Sequence, residues 1–328
     1  MIVSKTPMRM SFVGGGSDLP AFYREETGAV LSTSIDKYMY IAVNRKFDQR
    51  IRISYSRTEE VDAPEQVEHP LVRHALDVVG IEGGIEITSM ADIPSRGTGL
   101  GSSSAYTVGL LNALFAYRNE YASKERLARL ACEIEIERCG DPIGKQDQYA
   151  SAHGGLNLIR FHPDGSVSVD PVICDPKILA QIESSLLVFY TGRSRNASSI
   201  LIHQSEGMSA NRALTRRMVE LAFDLKKELE SGRLDSFGSI LDENWRLKRQ
   251  MSEGISDDQI DEWYAAAMAN GALGGKLLGA GKGGFLMFFA EPERHASITR
   301  ALNGLKPVTF RFDRTGTQIV FYQPVNLQ

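Results

Sequence analysis

A chain of 328 residues with 42% hydrophobic and 24% charged residues has an ordinary globular composition, and its length predicts two domains. A net charge of −4 leaves no basic footprint for nucleic acid or an anionic membrane, so neither is expected as a partner. Cys132, Cys139 and Cys174 are odd in number and include no C-x-x-C pair, which argues against a disulfide scaffold and a cysteine zinc site. Lys5 and Arg9 are followed by glycines rather than an apolar leader, and no apolar run approaches the roughly 18 residues of a membrane span. A cytoplasmic protein is expected.

In chain order, residues 28–35 and 38–47 are β-prone runs parted by a turn at Asp36 and Lys37, and 51–55 continues in that style. A helix over 69–79 ends at Gly80, and a short strand follows at 84–88. Beyond a glycine-rich loop comes a helix with apolar residues at Val108, Leu111, Leu114 and Phe115. The next helix starts at Ser123, a good N-cap, and stops at Gly140. Its buried stripe is Leu127, Leu130, Ala131 and Ile134; Glu135 and Glu137 flank that stripe on opposite edges, and the pattern does not choose between them.

A strand is expected at 186–191, then amphipathic helices over 198–230, 234–251 and 256–270, the last capped by Ser256. The basic clusters at 212–217 and 246–249 fall inside these helices and read as solvated faces. An apolar strand at 285–290, a short helix at 293–303 and strands at 308–312 and 318–322 complete the chain. Texture changes near 170–185, which divides the chain into 1–175 and 176–328, with an α+β mixture in both halves.

Three glycine-rich loops carry the chemistry. In the first, PSRGTGLGSSSA at 94–105, Gly97, Gly99 and Gly101 allow close backbone approach, and three serines enter a helix whose first N–H groups suit an anion such as a triphosphate. A plain helix cap would need one serine, not three behind three glycines. The second, GAGKGG at 279–284, matches G-x-G-x-x-G only formally, because strand rather than helix follows it. Taken alone it could be a tight turn between strands; beside the first loop, a phosphate-facing role is expected for Gly279, Gly281 and Gly283. The third, PMRMSFVGGGSD at 7–18, offers backbone and one acid to a polyhydroxylated ligand, or an ordinary strand and turn. No Walker A loop, H-R-D or D-F-G occurs. The six histidines show no metal-ligand spacing.

In this order the three loops resemble those of the GHMP kinases, the superfamily of galactokinase, homoserine kinase, mevalonate kinase and phosphomevalonate kinase. Residues 94–105 are similar to the family's P-x-x-x-G-L-G-S-S-A phosphate loop, 276–284 to its G-A-G-x-G-G motif, and Arg9 through Asp18 to the sugar kinases' R-x-x-x-x-G-x-x-x-D segment. A fourth stretch, EIERCGDPIGKQDQ at 135–148, is similar to the galactokinase run from a metal-binding Glu to an Asp-Gln. Residues 9–20, 28–37 and 191–197 look like one branch, the heptose-phosphate kinases of bacterial surface-polysaccharide synthesis. Ser17, where threonine is common, and Lys282, a charge in a loop usually free of one, depart from the pattern.

The resemblance implies an α+β, two-domain fold: a ribosomal-S5-like N-terminal domain, a ferredoxin-like C-terminal domain and an active site between them. It implies ATP and Mg²⁺, with the nucleotide phosphates at Pro94, Gly97, Gly99, Leu100, Gly101, Ser102, Ser103 and Ser104. The metal ligands would be Ser103 and Glu135, Asp147 the catalytic carboxylate, and Arg9 its partner facing the moving phosphoryl group. Asp18, with Gly15, Gly16 and Ser17, would bind sugar hydroxyls. The expected acceptor is a sugar phosphate, D-glycero-D-manno-heptose 7-phosphate, phosphorylated at its anomeric hydroxyl. A free sugar such as fucose or galactose, or a catalytically silent regulator on the same fold, are the alternatives. An acceptor phosphate needs a second basic site, for which Arg193 and Arg195 are the candidates and Lys37 a weaker third.

Overall fold

The computed structural model describes residues 1–93, 98–193 and 197–324, organised by two β-sheets. At the centre of the nine-stranded sheet, Ile2–Val13 pairs antiparallel with Gly28–Arg45. From there the path runs to Gln318–Tyr322 on one side and to Ile85–Ala91, Ile51–Ser54 and Thr58–Val61 on the other. Ile2–Val13 is longer than the strand that the strand-and-turn alternative for 7–18 offered. Covered on both faces, it buries Ser4, Thr6, Arg9 and Ser11 beside its apolar residues, so the alternation of a half-exposed strand is missing.

Gly28–Arg45 is one strand of 18 residues, not two runs joined by a turn. Pro7 pairs with Tyr38 and Met8 with Ile35, which leaves Asp36 and Lys37 bulged out. Proline has no N–H for the ladder, and the register slips beside it. The bulged Asp36 N–H donates to the Arg311 carbonyl at 2.8 Å instead. Before the bulge the strand pairs with Leu156–Phe161 and Phe312–Asp313, and after it with Ile85–Ala91.

The second sheet is antiparallel, in the order Lys306–Pro307, Leu186–Tyr190, Phe285–Phe289, Gly274–Leu277. A division at 175/176 assigns a single sheet to each half, except that Phe312–Asp313 and Gln318–Tyr322 return to the larger one.

The Ser102–Tyr117 helix is buried on nearly every face, as its continuous apolar sequence requires. The helix expected over 123–140 begins as foreseen, with Ser123 Oγ accepting the Arg126 N–H, and ends at a left-handed Gly140. Between, it changes character: Lys124–Cys132 is α-helical and Glu133–Arg138 is a π-helical turn, closed by the Cys139 N–H on the Ile134 carbonyl at 2.9 Å. Residues 198–230 form two helices, Ala197–Glu206 and Met208–Glu230, interrupted at Gly207. Asp257, not Ser256, caps Asp258–Ala269, accepting the Ile260 N–H at 3.0 Å. The helices Gln146–His153 and Pro176–Ser185 and the strand Gly274–Leu277 were unforeseen, and the first carries Asp147. No described helix is long and apolar enough to cross a membrane.

Candidate active site

Two glycine turns meet between the sheets. A Cβ on Gly99, whose φ is +78°, would lie 2.3 Å from the Leu278 carbonyl oxygen; one on Gly279 would lie 2.5 Å from the Gly99 Cα. These glycines are required by the contact of backbone with backbone, apart from any ligand. Gly99→Ala is therefore expected to destabilise the fold by about 2 kcal/mol or more, read as a lower urea midpoint; an unchanged midpoint would mean that the Leu278 turn can retreat.

Beyond the contact opens a cavity of about 610 Å³. Gly101 is the N-cap of Ser102–Tyr117 and brings no capping side chain, so the first turn meets the cavity through Ser102, Ser103 and Ser104. Gly99 and Gly279 line it as well, whereas Leu100 is fully buried and contributes its carbonyl, which accepts the Arg9 N–H. Pro94 and Gly97 lie outside the described residues.

Arg9, 4% exposed, comes from the Ile2–Val13 strand and forks onto Asp147 in the first turn of Gln146–His153. Nε donates to Oδ1 and Nη2 to Oδ2, both at 2.8 Å, while Nη1 donates to the Gly99 carbonyl at 2.7 Å. Such a planar fork fixes the carboxylate's orientation as well as its charge. Asp18, also in the cavity wall, accepts the Gly16 N–H at 3.0 Å and the Gln146 N–H at 3.4 Å, tying the 14–18 turn to the helix of Asp147. Burial first, then the neighbouring Asp147 charge, raise the Asp18 carboxyl above its ordinary range.

Gly15 and Gly16 line the cavity with Asp18, but Ser17 does not. Its hydroxyl points into the fold, donating to the Gly14 carbonyl at 2.8 Å and accepting the Ala29 N–H at 3.0 Å. The expectation that Ser17 binds substrate is corrected: it closes the turn.

The structure sets the two glutamates in different surroundings. Glu135 is fully buried, while Glu137 is exposed. The π-helical turn widens the helix, so that consecutive residues Ile134 and Glu135 both face inward. Glu135 accepts hydrogen bonds from Ser103 Oγ (3.1 Å), Ser104 Oγ (2.8 Å) and Gln148 Nε2 (2.6 Å). Burial nevertheless pushes its carboxyl up to about 7, against these three bonds and with a smaller push from Asp147.

One carboxylate and a serine hydroxyl 3.1 Å apart are hard oxygen donors at the spacing of adjacent ligands on an octahedral ion with bonds of about 2.1 Å. No cluster of three or more His, Cys, Asp or Glu able to hold a metal occurs among the described residues. The donor set thus fits an ion that takes most of its ligands from phosphates and water, as Mg²⁺ does.

Gly281 and Gly283, expected to face phosphate, are not part of the cavity wall; they pack against the backbones of Ile255 and Arg193. Arg193 also stays outside the wall, paired with the capping Asp257 at 2.8 Å. Arg195 lies outside the described residues.

Two buried lysines that the sequence pattern did not single out occupy the wall instead: Lys248, 8% exposed, and Lys276, 6% exposed. Lys248 belongs to the basic cluster read as solvated, which is corrected here. One turn before it on the Phe237–Gln250 helix, Asn244 accepts the Gly14 N–H at 3.1 Å, and Lys248 Nζ donates to the Gly15 carbonyl at 3.1 Å. A polar residue repeated at i and i+4 on a buried face was the available signal.

The GHMP kinases N-terminal domain model matches residues 69–155 and the GHMP kinases C-terminal model 225–305. A D-glycero-α-D-manno-heptose 7-phosphate kinase of Campylobacter jejuni is 30% identical over 318 residues, spanning 92% of this chain and 93% of that one. The chain is a GHMP kinase. As such it is a carbohydrate kinase, a phosphotransferase of a family that uses ATP, generally with a metal ion.

Its α+β GHMP kinase fold matches, at TM-score 0.81 and 27% identity, a crystal structure of a D-glycero-D-manno-heptose 1-phosphate kinase from Bacteriodes thetaiotaomicron, covering 98% of this chain and 100% of that one. A bifunctional fucokinase/GDP-fucose pyrophosphorylase of Arabidopsis thaliana is 29% identical over 322 residues, 90% of this chain and 30% of the larger relative.

Proposed function

We propose that this GHMP sugar kinase transfers the γ-phosphoryl group of Mg-ATP to the anomeric hydroxyl of D-glycero-D-manno-heptose 7-phosphate, giving the 1,7-bisphosphate. The Arg9–Asp147 fork in the wall of the cavity carries this reading, because it places an oriented carboxylate beside the phosphate loop. The first-turn N–H groups at Ser102–Ser104 and the helix dipole receive the nucleotide's phosphates. Ser103 and Glu135 would hold Mg²⁺, which supplies neutralisation of charge on the phosphate oxygens.

Asp147 accepts a hydrogen bond from the anomeric hydroxyl and directs its lone pair at the γ-phosphorus. The new P–O bond forms as the bond to ADP breaks, and the proton passes to Asp147 or solvent as transfer completes. Arg9 faces the charge that develops. Asp18 and the Gly15–Gly16 backbone orient the remaining sugar hydroxyls. We place the reaction in the cytoplasm, in precursor synthesis for a surface polysaccharide; the free Cys132, Cys139 and Cys174 accord with a reducing compartment.

The two heptose-phosphate relatives support the acceptor class, and their names differ in the position of the phosphate. The fucokinase relative keeps a free sugar as the second reading. ADP release is to be measured with heptose 7-phosphate, the unphosphorylated heptose, fucose and galactose, and the product read by ³¹P NMR. Turnover of heptose 7-phosphate with a new anomeric phosphate resonance is the expected result. Activity confined to free sugars, or none on any acceptor, would remove the assignment.

A further inference from the structure

The cavity has a cationic feature that the phosphate loop does not explain. Lys276, at the end of the Gly274–Leu277 strand nearest the second glycine turn, is almost fully buried, and its Nζ donates to the Phe12 carbonyl at 3.1 Å. No carboxylate is paired with it among the described residues; the charges that act on it are Lys248 and Arg9, both positive. Burial, with these two neighbours, pushes its ammonium down to about 7. A buried cation facing other cations is an expensive arrangement unless an anion joins it.

Lys248 enters from a different element and reaches the same turn. Its Nζ rests on the Gly15 carbonyl and on Gln204 Oε1 at 2.8 Å. A Cβ on Gly16 would sit 3.0 Å from that nitrogen, so the glycine makes room for the ammonium. Both ammoniums therefore rest on carbonyls three residues apart, Phe12 and Gly15, on the segment that also carries Asp18. Arg9 is committed to Asp147, and both lysines stand beside it in the wall.

We propose that Lys248 and Lys276 together seat the phosphate group that the acceptor already carries, an inference that rests on the phosphorylated acceptor proposed above. Arg193, turned to Asp257 outside the wall, does not contribute to this seat. One dianion between the two lysines offsets the burial and mutual repulsion of both, and the seat's distance along the 12–18 turn from Asp18 sets which sugar phosphates reach Asp147.

The test is calorimetric, with the nucleotide site filled by a non-hydrolysable ATP analogue. Lys276→Met is expected to weaken heptose 7-phosphate about ten- to hundredfold, while the unphosphorylated heptose and the nucleotide analogue change less than about threefold. Lys276→Arg, which keeps the charge, is expected to recover some of the loss. Equal weakening of both sugars, or weakening of the nucleotide alone, would overturn the seat and leave Lys276 as a tie between the sheets. Should Lys276→Met not fold, Lys248→Met is measured in its place under the same criteria. If the wild type binds no heptose 7-phosphate, the proposed acceptor falls, and inorganic phosphate becomes the probe. Wild-type binding that is lost in Lys276→Met upholds the lysine seat, and no wild-type binding refutes it.

Discussion

Asp147→Asn is expected to lower kcat by about 10²–10⁴-fold while the ATP dissociation constant moves less than about threefold. The carboxylate is gripped at both oxygens by Arg9. An amide presents one oxygen and one NH₂, so a donor would face a donor across half of the fork and the orientation would be lost. Asparagine also has no capacity to take the sugar's proton as transfer completes. The phosphate loop is spared, because Ser103 and Ser104 direct their hydroxyls to Glu135 rather than to Asp147. Single-turnover rates with saturating Mg-ATP, set beside nucleotide titration by calorimetry, read the two quantities separately. Near-normal kcat would take Asp147 out of the reaction, and a large loss of ATP affinity would make it a support for the loop.

Glu135→Gln is expected to change the pH dependence of stability and the Mg²⁺ requirement together. Burial raises the Glu135 carboxyl from 4.5 to about 7. Between those values the folded protein binds the proton more tightly than the unfolded chain does, so the metal-free fold loses stability as pH climbs through the window. The loss amounts to about 3 kcal/mol at most, reached above pH 7. Glutamine has no proton to lose there, so Glu135→Gln lacks this slope and gains on the wild type as pH rises. Gln148 Nε2 must turn for the new amide to fit, and its Oε1, buried without a partner, is free to accept once it does.

Urea melts at pH 5 to 8 in EDTA measure the slope, and Mg²⁺ titration of kcat measures the metal requirement, expected to rise by at least tenfold in the variant. Glu137→Gln, at an exposed site, is the control and should stay within about 0.5 kcal/mol of wild type. Parallel pH slopes for wild type and Glu135→Gln would show that the carboxyl does not titrate in that range. A metal effect confined to Glu137→Gln would move the ligand one edge over.

Arg9, Asp18, Glu135 and Asp147 could be singled out in the sequence because each sits in a motif whose order along the chain survives without any knowledge of contacts. Periodicity alone left Glu135 and Glu137 tied, since an ideal α-helix puts them on opposite edges; the π-helical turn that separates them follows from packing, not propensity. Lys248 and Lys276 were invisible for a different reason. A lysine is almost always at the surface, and only the close approach of the Phe12–Gly16 turn to two elements from the other half buries these two. Ser17 was misread through its neighbours: it follows three glycines and precedes the acid, yet its hydroxyl is consumed by the Gly14 carbonyl of its own turn and the Ala29 N–H of the next strand.

The long central strand hid its bulge in the same way, because Pro7, which breaks the pairing, stands on the opposite strand. The Gln146–His153 helix begins after Pro142 and Gly144 and is eight residues long, too short for an apolar stripe to register.

The meeting of Gly99 with Leu278 and Gly279 has a consequence for how such a kinase can diversify. With neither main chain leaving space for a methyl group on the other, the two motifs constitute a mated pair although some 180 positions divide them along the polypeptide. A chimera that borrows its front half from one homologue and its back half from another inherits a working seam only when both turns keep the same path. Recombination between distant members should therefore fail first at this joint, however well the donor and recipient pockets agree.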